Sequence, residues 1–236
     1  MANQESIDIL LKAVDLWKKA ADNPTEKQYR DTVSLIQLAI KKSSEPLSIG
    51  HSMLAQIHFD MDNFGAAWDA SEQGLILDPH DYKSQLIRVI IAFAYANEAQ
   101  GHAQEQRGGL FGVIGGVFRS KGFTENYRAG QKLGEALASG IAPNRLKKLF
   151  NEELKKLLAV FQYMCTNGCQ ASDFLEFASR LTKLADGIYE NSKLLDSRVN
   201  IYDLIANAPT ERIECETEDE QQLVETTQLI AEGRTV

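Results

Sequence analysis

The sequence predicts an all-α protein, and three observations carry that prediction. Apolar residues recur at spacings of three and four: Leu146, Leu149, Phe150, Leu154, Leu157, Leu158, Phe161 and Cys165 over 146–165, then Phe174, Phe177, Ala178, Leu181, Leu184, Ala185 and Ile188 over 174–188. Each set falls on a single helical face. Runs of alternating β-branched residues, the mark of half-buried strands, are absent. The five prolines, at 24, 46, 79, 143 and 209, fall between the periodic segments. There the missing N–H and the restriction on the preceding residue end helices.

Taken in order, the expected helices are 4–21, 25–43, 47–61, 64–77, 82–106, 126–139, 143–165, 170–191 and 194–207. Leu10, Ala13, Val14 and Trp17 give the first its apolar stripe, and Tyr29, Ile36, Ala39 and Ile40 the second. Asn23-Pro24 separates these two, and Asp62-Asn63 breaks the third from the fourth. Asp78-Pro79 ends the fourth and Ala142-Pro143 opens the seventh.

Composition narrows the class. The 236 residues are 44% hydrophobic and 25% charged, which excludes wholesale disorder and a collagenous repeat. A net charge of -8 argues against a nucleic-acid partner. Glu5, Asp8 and Asp15 interrupt the start, so no secretory leader is read there. No stretch of about 18 uncharged apolar residues occurs, so no membrane span is expected. The three cysteines, Cys165, Cys169 and Cys215, form no metal or redox motif. Together these point to a reduced, cytoplasmic setting. If the helix ran on through Asn167-Gly168, Cys165 and Cys169 would share a face and pack as small apolar groups.

Between Ser48 and Asp81 the chain reads SIGHSMLAQIHFDMDNFGAAWDASEQGLILDPHD. Leu54-Ala55, His58, the turn Asp62-Asn63-Phe64, Ala67, Leu75 and the closing Asp78-Pro79 stand in phase across this segment. On these residues it resembles one tetratricopeptide repeat, a 34-residue pair of helices. The departures are His51 where the family has Trp, Ser71 for a bulkier group, and Gly74 for Ala. Residues 4–43 resemble a poorer copy, and Tyr82–Ala94 the first helix of a third.

The resemblance implies a short helical-hairpin array of the α-α superhelix type over 1–106. A glycine-rich loop over 107–125 follows, then a helical region over 126–210 packed against the array, and an acidic, partly disordered tail over 211–236. An array of two to two and a half units needs something to cover its open end. The resemblance also places Met53, Gln56, Phe59 and Asp60, with Lys83, Leu86, Ile87, Ile90 and Phe93, on the concave face that meets a partner. An apolar groove of this kind fits an amphipathic helix, unless the later helices of the chain fill it. Family members that hold a terminal carboxylate use Asn and Arg where this chain has Met53 and Ile87, so that mode is not expected.

Two further segments stand out. Arg107–Phe123, with Gly108, Gly109, Gly112, Gly115 and Gly116, reads as a mobile loop, or as a loop touching a membrane surface through Leu110, Phe111 and Phe118. It lacks the Gly-Lys-Ser/Thr of a phosphate cradle. Charge is also segregated: 1–106 carry -6, 107–156 carry +6, and 211–236 carry -6. Arg145, Lys147, Lys148, Lys155 and Lys156 form the basic patch, either a solvated face or a docking site for the tail, an acidic partner or lipid headgroups.

No catalytic motif, metal-ligand spacing or cofactor motif occurs among the four histidines and the carboxylates. The expectation is therefore a non-catalytic protein-binding adaptor or assembly factor, with no cofactor and no metal. A peripheral membrane scaffold and a helical enzyme of unrecognised type are the alternatives.

Overall fold

The computed structural model describes residues 3–20, 24–102, 143–190 and 200–234. It is all-α: helices dominate, and the strand content among the described residues is one pair of two-residue strands. Packing divides the chain into two units, Met1–Leu146 and Lys147–Val236. The division falls after Leu146 rather than in the 107–125 segment the sequence suggested. That segment, the expected glycine loop and the expected helix over 126–139 lie outside the described residues.

The first unit contains α1 (Gln4–Ala20), α2 (Glu26–Lys42), α3 (Ser48–Asp60), α4 (Phe64–Leu77) and α5 (Tyr82–His102). Local signals set the helix ends. Asn3 opens α1: its side chain accepts from the Ser6 amide at 2.9 Å, and its amide nitrogen donates to the Lys42 carbonyl at 2.8 Å, tying the start of α1 to the end of α2. Thr25 and Gln28 form a reciprocal capping box on α2. Asn63 caps α4 by accepting from the Ala66 amide.

α1 packs on α2 and α3 on α4 as helical hairpins, and the two hairpins meet through α2 and α3. Between α3 and α4 the chain reverses in three residues. Asp62 takes a left-handed φ of 56° there, a conformation Asp tolerates better than most L-residues. Ala55 and Ala67 are fully buried where the hairpin helices approach. α4 meets α5 equally closely: a Cβ on Gly74 would lie 2.8 Å from Ser84 Oγ. That contact gives a steric reason for glycine at 74.

The core of this unit joins Ile9, Leu10 and Ala13 of α1, Tyr29, Ile36 and Ala39 of α2, Leu54, Ile57 and Phe59 of α3, Ala67 of α4, and Ile87 and Ile91 of α5. Residues 84–89 of α5 are all buried, so this helix is enclosed around its circumference. Its one cation in that stretch, Arg88, lies with its guanidinium 3.9 Å from the centre of the Trp68 ring and 4.0 Å from Glu72. Stacking on an indole face offsets part of the cost of removing that charge from water.

The second unit continues α6 (Pro143–Asn167) into α7 (Ala171–Glu190), α8 (Ile201–Ala206) and α9 (Glu218–Glu232). The stripes seen in the sequence form its core. Phe161 stands edge-on to Phe177, with ring centres 5.1 Å apart, and 5.9 Å from Phe174. Leu154, Leu157, Leu181 and Ile188 are buried beside them.

α6 stops at Asn167 because Gly168 adopts φ 93°. Cys169 therefore leaves the helix carrying Cys165 and begins β1 (Cys169–Gln170), which pairs in parallel with β2 (Ile213–Glu214). The shared helix face considered for the two cysteines does not form.

The acidic C-terminal segment departs from expectation. Instead of a partly disordered tail, Glu218–Glu232 form α9, which packs on α7 and α8. Thr217 caps it, and three acidic residues occupy its first turn, where the helix dipole favours them. Val224 and Ala231 are buried, Gln228 donates to the Ala208 carbonyl at 2.8 Å, and Arg234 pairs with Asp186 at 3.0 Å.

Candidate interaction surface

The residues expected on a concave face come from α3 and α5. In the structure they divide by exposure. Phe59, Leu86, Ile87 and Phe93 are buried, and Phe59 packs on Phe64 with ring centres 5.6 Å apart. Met53, Gln56, Asp60 and Ile90 are half-buried, and Lys83 is exposed, its ammonium 5.4 Å from the Tyr82 ring centre. Much of the expected apolar groove is thus interior.

Half-buried apolar side chains from several helices pack on the core of this unit. Met53 of α3 and Ile90 of α5 pack against the same core as Trp17 of α1 and Tyr95 of α5. A polar link joins α1 to α3. The indole N–H of Trp17 donates to Asp60 Oδ2 at 3.3 Å, and Gln56 Nε2 donates to Asp60 Oδ1 at 2.7 Å. Asp60 is held by donors from two helices, which fixes its carboxylate toward the α1 side. The repeat resemblance names Gln56 and Asp60 for a concave face but not Trp17 or Tyr95. Their pairing spans 43 residues in the case of Trp17 and Asp60, and no local period reports it.

A second polar group centres on Tyr29. Asn63 Oδ1 is taken by the Ala66 amide, so its Nδ2 turns to the Tyr29 hydroxyl at 3.3 Å. That hydroxyl lies 2.7 Å from His58 Nδ1. Tyr29 and His58 thus share one hydrogen bond between neutral groups, its direction set by the imidazole tautomer. Burial lowers the His58 pKa and raises that of Tyr29, and both favour this neutral arrangement. His51 is also lowered by burial. Asp62 at the turn is raised, first by burial and then by the neighbouring Asp60.

Of the basic patch on α6, Arg145, Lys148, Lys155 and Lys156 are exposed and Lys147 is half-buried. Arg145, Lys148 and Lys155 share one helical face. Lys148 lies 3.8 Å from Glu152, and Lys156 2.8 Å from the buried carboxylate of Glu153. The patch is therefore interleaved with acidic partners on its own helix.

Two of the three cysteine thiols are held away from the thiolate form. Burial pushes Cys165 up to about 12, helped by Cys169, and burial pushes Cys169 up to about 11, helped by Asp173, Glu214 and Cys215. Cys215 is exposed, and all three are free thiols. Among the described residues, no three His, Cys, Asp or Glu side chains converge as metal ligands, and no helix is long and apolar enough to cross a membrane. No family model, no curated protein and no solved structure matches this chain.

Proposed function

We propose that the protein is a non-catalytic protein-binding module. Its tetratricopeptide-like hairpins would present half-buried side chains of α1, α3 and α5 to a peptide or helix of another protein. The observation that carries this reading is the Trp17–Asp60–Gln56 link together with Met53, Ile90 and Tyr95. Trp17, Met53, Ile90 and Tyr95, from three non-consecutive helices, are each half-buried against the core. Rigid, partly exposed Trp, Tyr and Met side chains with a fixed carboxylate suit an interface anchor, because little side-chain entropy remains to be lost on binding. The adaptor or assembly role, the resemblance to the repeat family and a cytoplasmic setting belong to this proposal.

The test compares partners captured by the full chain and by a Met53→Arg/Ile90→Arg variant. Thermal melting confirms that both are folded. A protein retained by the wild type and lost by the variant is the expected result. An identical set of captured proteins would remove these residues as the binding face.

A further inference from the structure

We propose that α9 is a second docking surface, independent of the one on α1, α3 and α5, and that its partner is a basic amphipathic helix of another protein. The inner face of α9 is accounted for by Val224, Thr227, Gln228 and Ala231, packed toward α7 and α8. Its outer face is not what solvent alone requires. Leu223 is 55% exposed, Ile230 54% and Leu229 66%. Leu223, Thr226 and Ile230 follow a spacing of three and four, and Leu229 lies one turn from Thr226, so the four make one contiguous strip. Beside Leu229, a depression of about 310 Å³ opens between α8 and α9, lined by Ala206, Glu225, Gln228 and Glu232.

Charge decides the occupant. α9 carries Glu218, Asp219, Glu220, Glu225 and Glu232 and no basic residue, and exposed Glu214 and Glu216 precede it. A second copy of α9 would bring five acidic groups against five, and an anionic membrane surface would be repelled in the same way. An apolar strip between acidic flanks complements a helix with leucine-like residues on one face and Lys or Arg beside them. The aliphatic stems of those cations would cover the depression while their charges meet the carboxylates.

The experiment uses the full chain and a fluorescein-labelled peptide of about 18 residues built from Leu and Lys, with the leucines at helical spacing along one face. A shuffled peptide of the same composition is the control. Anisotropy titration at low salt is expected to show at least about tenfold tighter binding of the amphipathic peptide. Leu223→Ser/Ile230→Ser, at exposed positions that leave the melting curve in place, should lose about tenfold. Glu225→Lys/Glu232→Lys should lose a similar factor and flatten the salt dependence. Equal binding of the shuffled peptide, or full binding by the serine pair, would overturn the proposal. So would self-association of the wild type that the serine pair abolishes, or binding to phosphatidylserine vesicles through the same residues.

Discussion

The hydroxyl of Tyr29 on α2 lies 2.7 Å from Nδ1 of His58 on α3, so a side-chain hydrogen bond joins the two hairpins of the first unit. In the native state His58 lies below its ordinary value of 6.5 because it is buried. The unfolded chain therefore binds the proton first as pH falls. Stability from this site is complete above about pH 6.5 and is lost as pH falls from there through the lowered native value. His51 shifts in the same direction, so the measurement belongs in a His51→Gln background. Asp62, raised by burial, acts with opposite sign and in the lower carboxylate range. Read by urea melts at several pH values, Tyr29→Phe should cost about 1 kcal/mol and leave the slope between pH 7 and 5 in place, because burial sets the His58 shift. An unchanged denaturation midpoint would disprove the bond's role.

Ala67 is fully buried between α3 and α4. Ala67→Glu places a carboxylate there without a partner and should cost several kcal/mol, enough to unfold much of the first unit. Circular dichroism melts test this. A variant melting with the wild type would show that α3 and α4 do not pack through this position.

Gly168 holds φ 93° between α6 and β1. Gly168→Ala forces a side chain into that conformation, and its Cβ would stand 3.3 Å from the Arg212 carbonyl oxygen. A loss of about 1–2 kcal/mol is expected for the second unit. An unchanged denaturation midpoint would mean that the turn relaxes without cost.

The cysteines should separate by reactivity. Cys215 is exposed, whereas Cys165 and Cys169 are pushed up to about 12 and about 11. Iodoacetamide at pH 8 should label Cys215 first, Cys169 slowly and Cys165 only on unfolding, because the thiolate is the nucleophile. Peptide mass mapping over time reads the order, and early labelling of Cys165 would contradict the burial of α6.

Val224 is the buried anchor of α9. Val224→Asp should lower the melting temperature of the second unit by roughly 4 °C or more, for a cost of at least 1 kcal/mol. A tail attached loosely by charge would instead tolerate the change, and its melting temperature would respond to salt alone.

The helices legible in the sequence are those whose stability comes from one wide apolar face. The expected stripes of α6 and α7 are buried almost residue for residue, with Leu149 alone half-buried. The end of α6 was less legible, because Gly168 inside a helical pattern is either tolerated or a stop, and tertiary pairing of β1 with β2 decides which. α9 is hard to read because five of its fifteen residues are acidic and its inner face uses only Val224 and Ala231, with Thr227 and Gln228 between them. A helix so thinly apolar is held by its cap and by Gln228 reaching the Ala208 carbonyl, neither of which a period reveals. At the candidate surface, Met53 and Ile90 come from the repeat resemblance alone. The burial of Leu86 and Phe93 agrees with the alternative of a filled groove, between which and an open one the apolar pattern of α5 does not decide.

The parallel pairing of β1 with β2 also fixes an order of events during synthesis. Gln170 meets Glu214 across 44 residues. At translation rates of 5–20 residues per second, roughly 2–9 s pass after β1 leaves the ribosome before its partner strand exists. Through that interval α6 and α7 can pair through their phenylalanines, while the faces of α7 that receive α8 and α9 stay uncovered. The nascent second unit thus carries uncovered apolar surface for seconds, whereas each hairpin of the first unit is closed by the segment that immediately follows it.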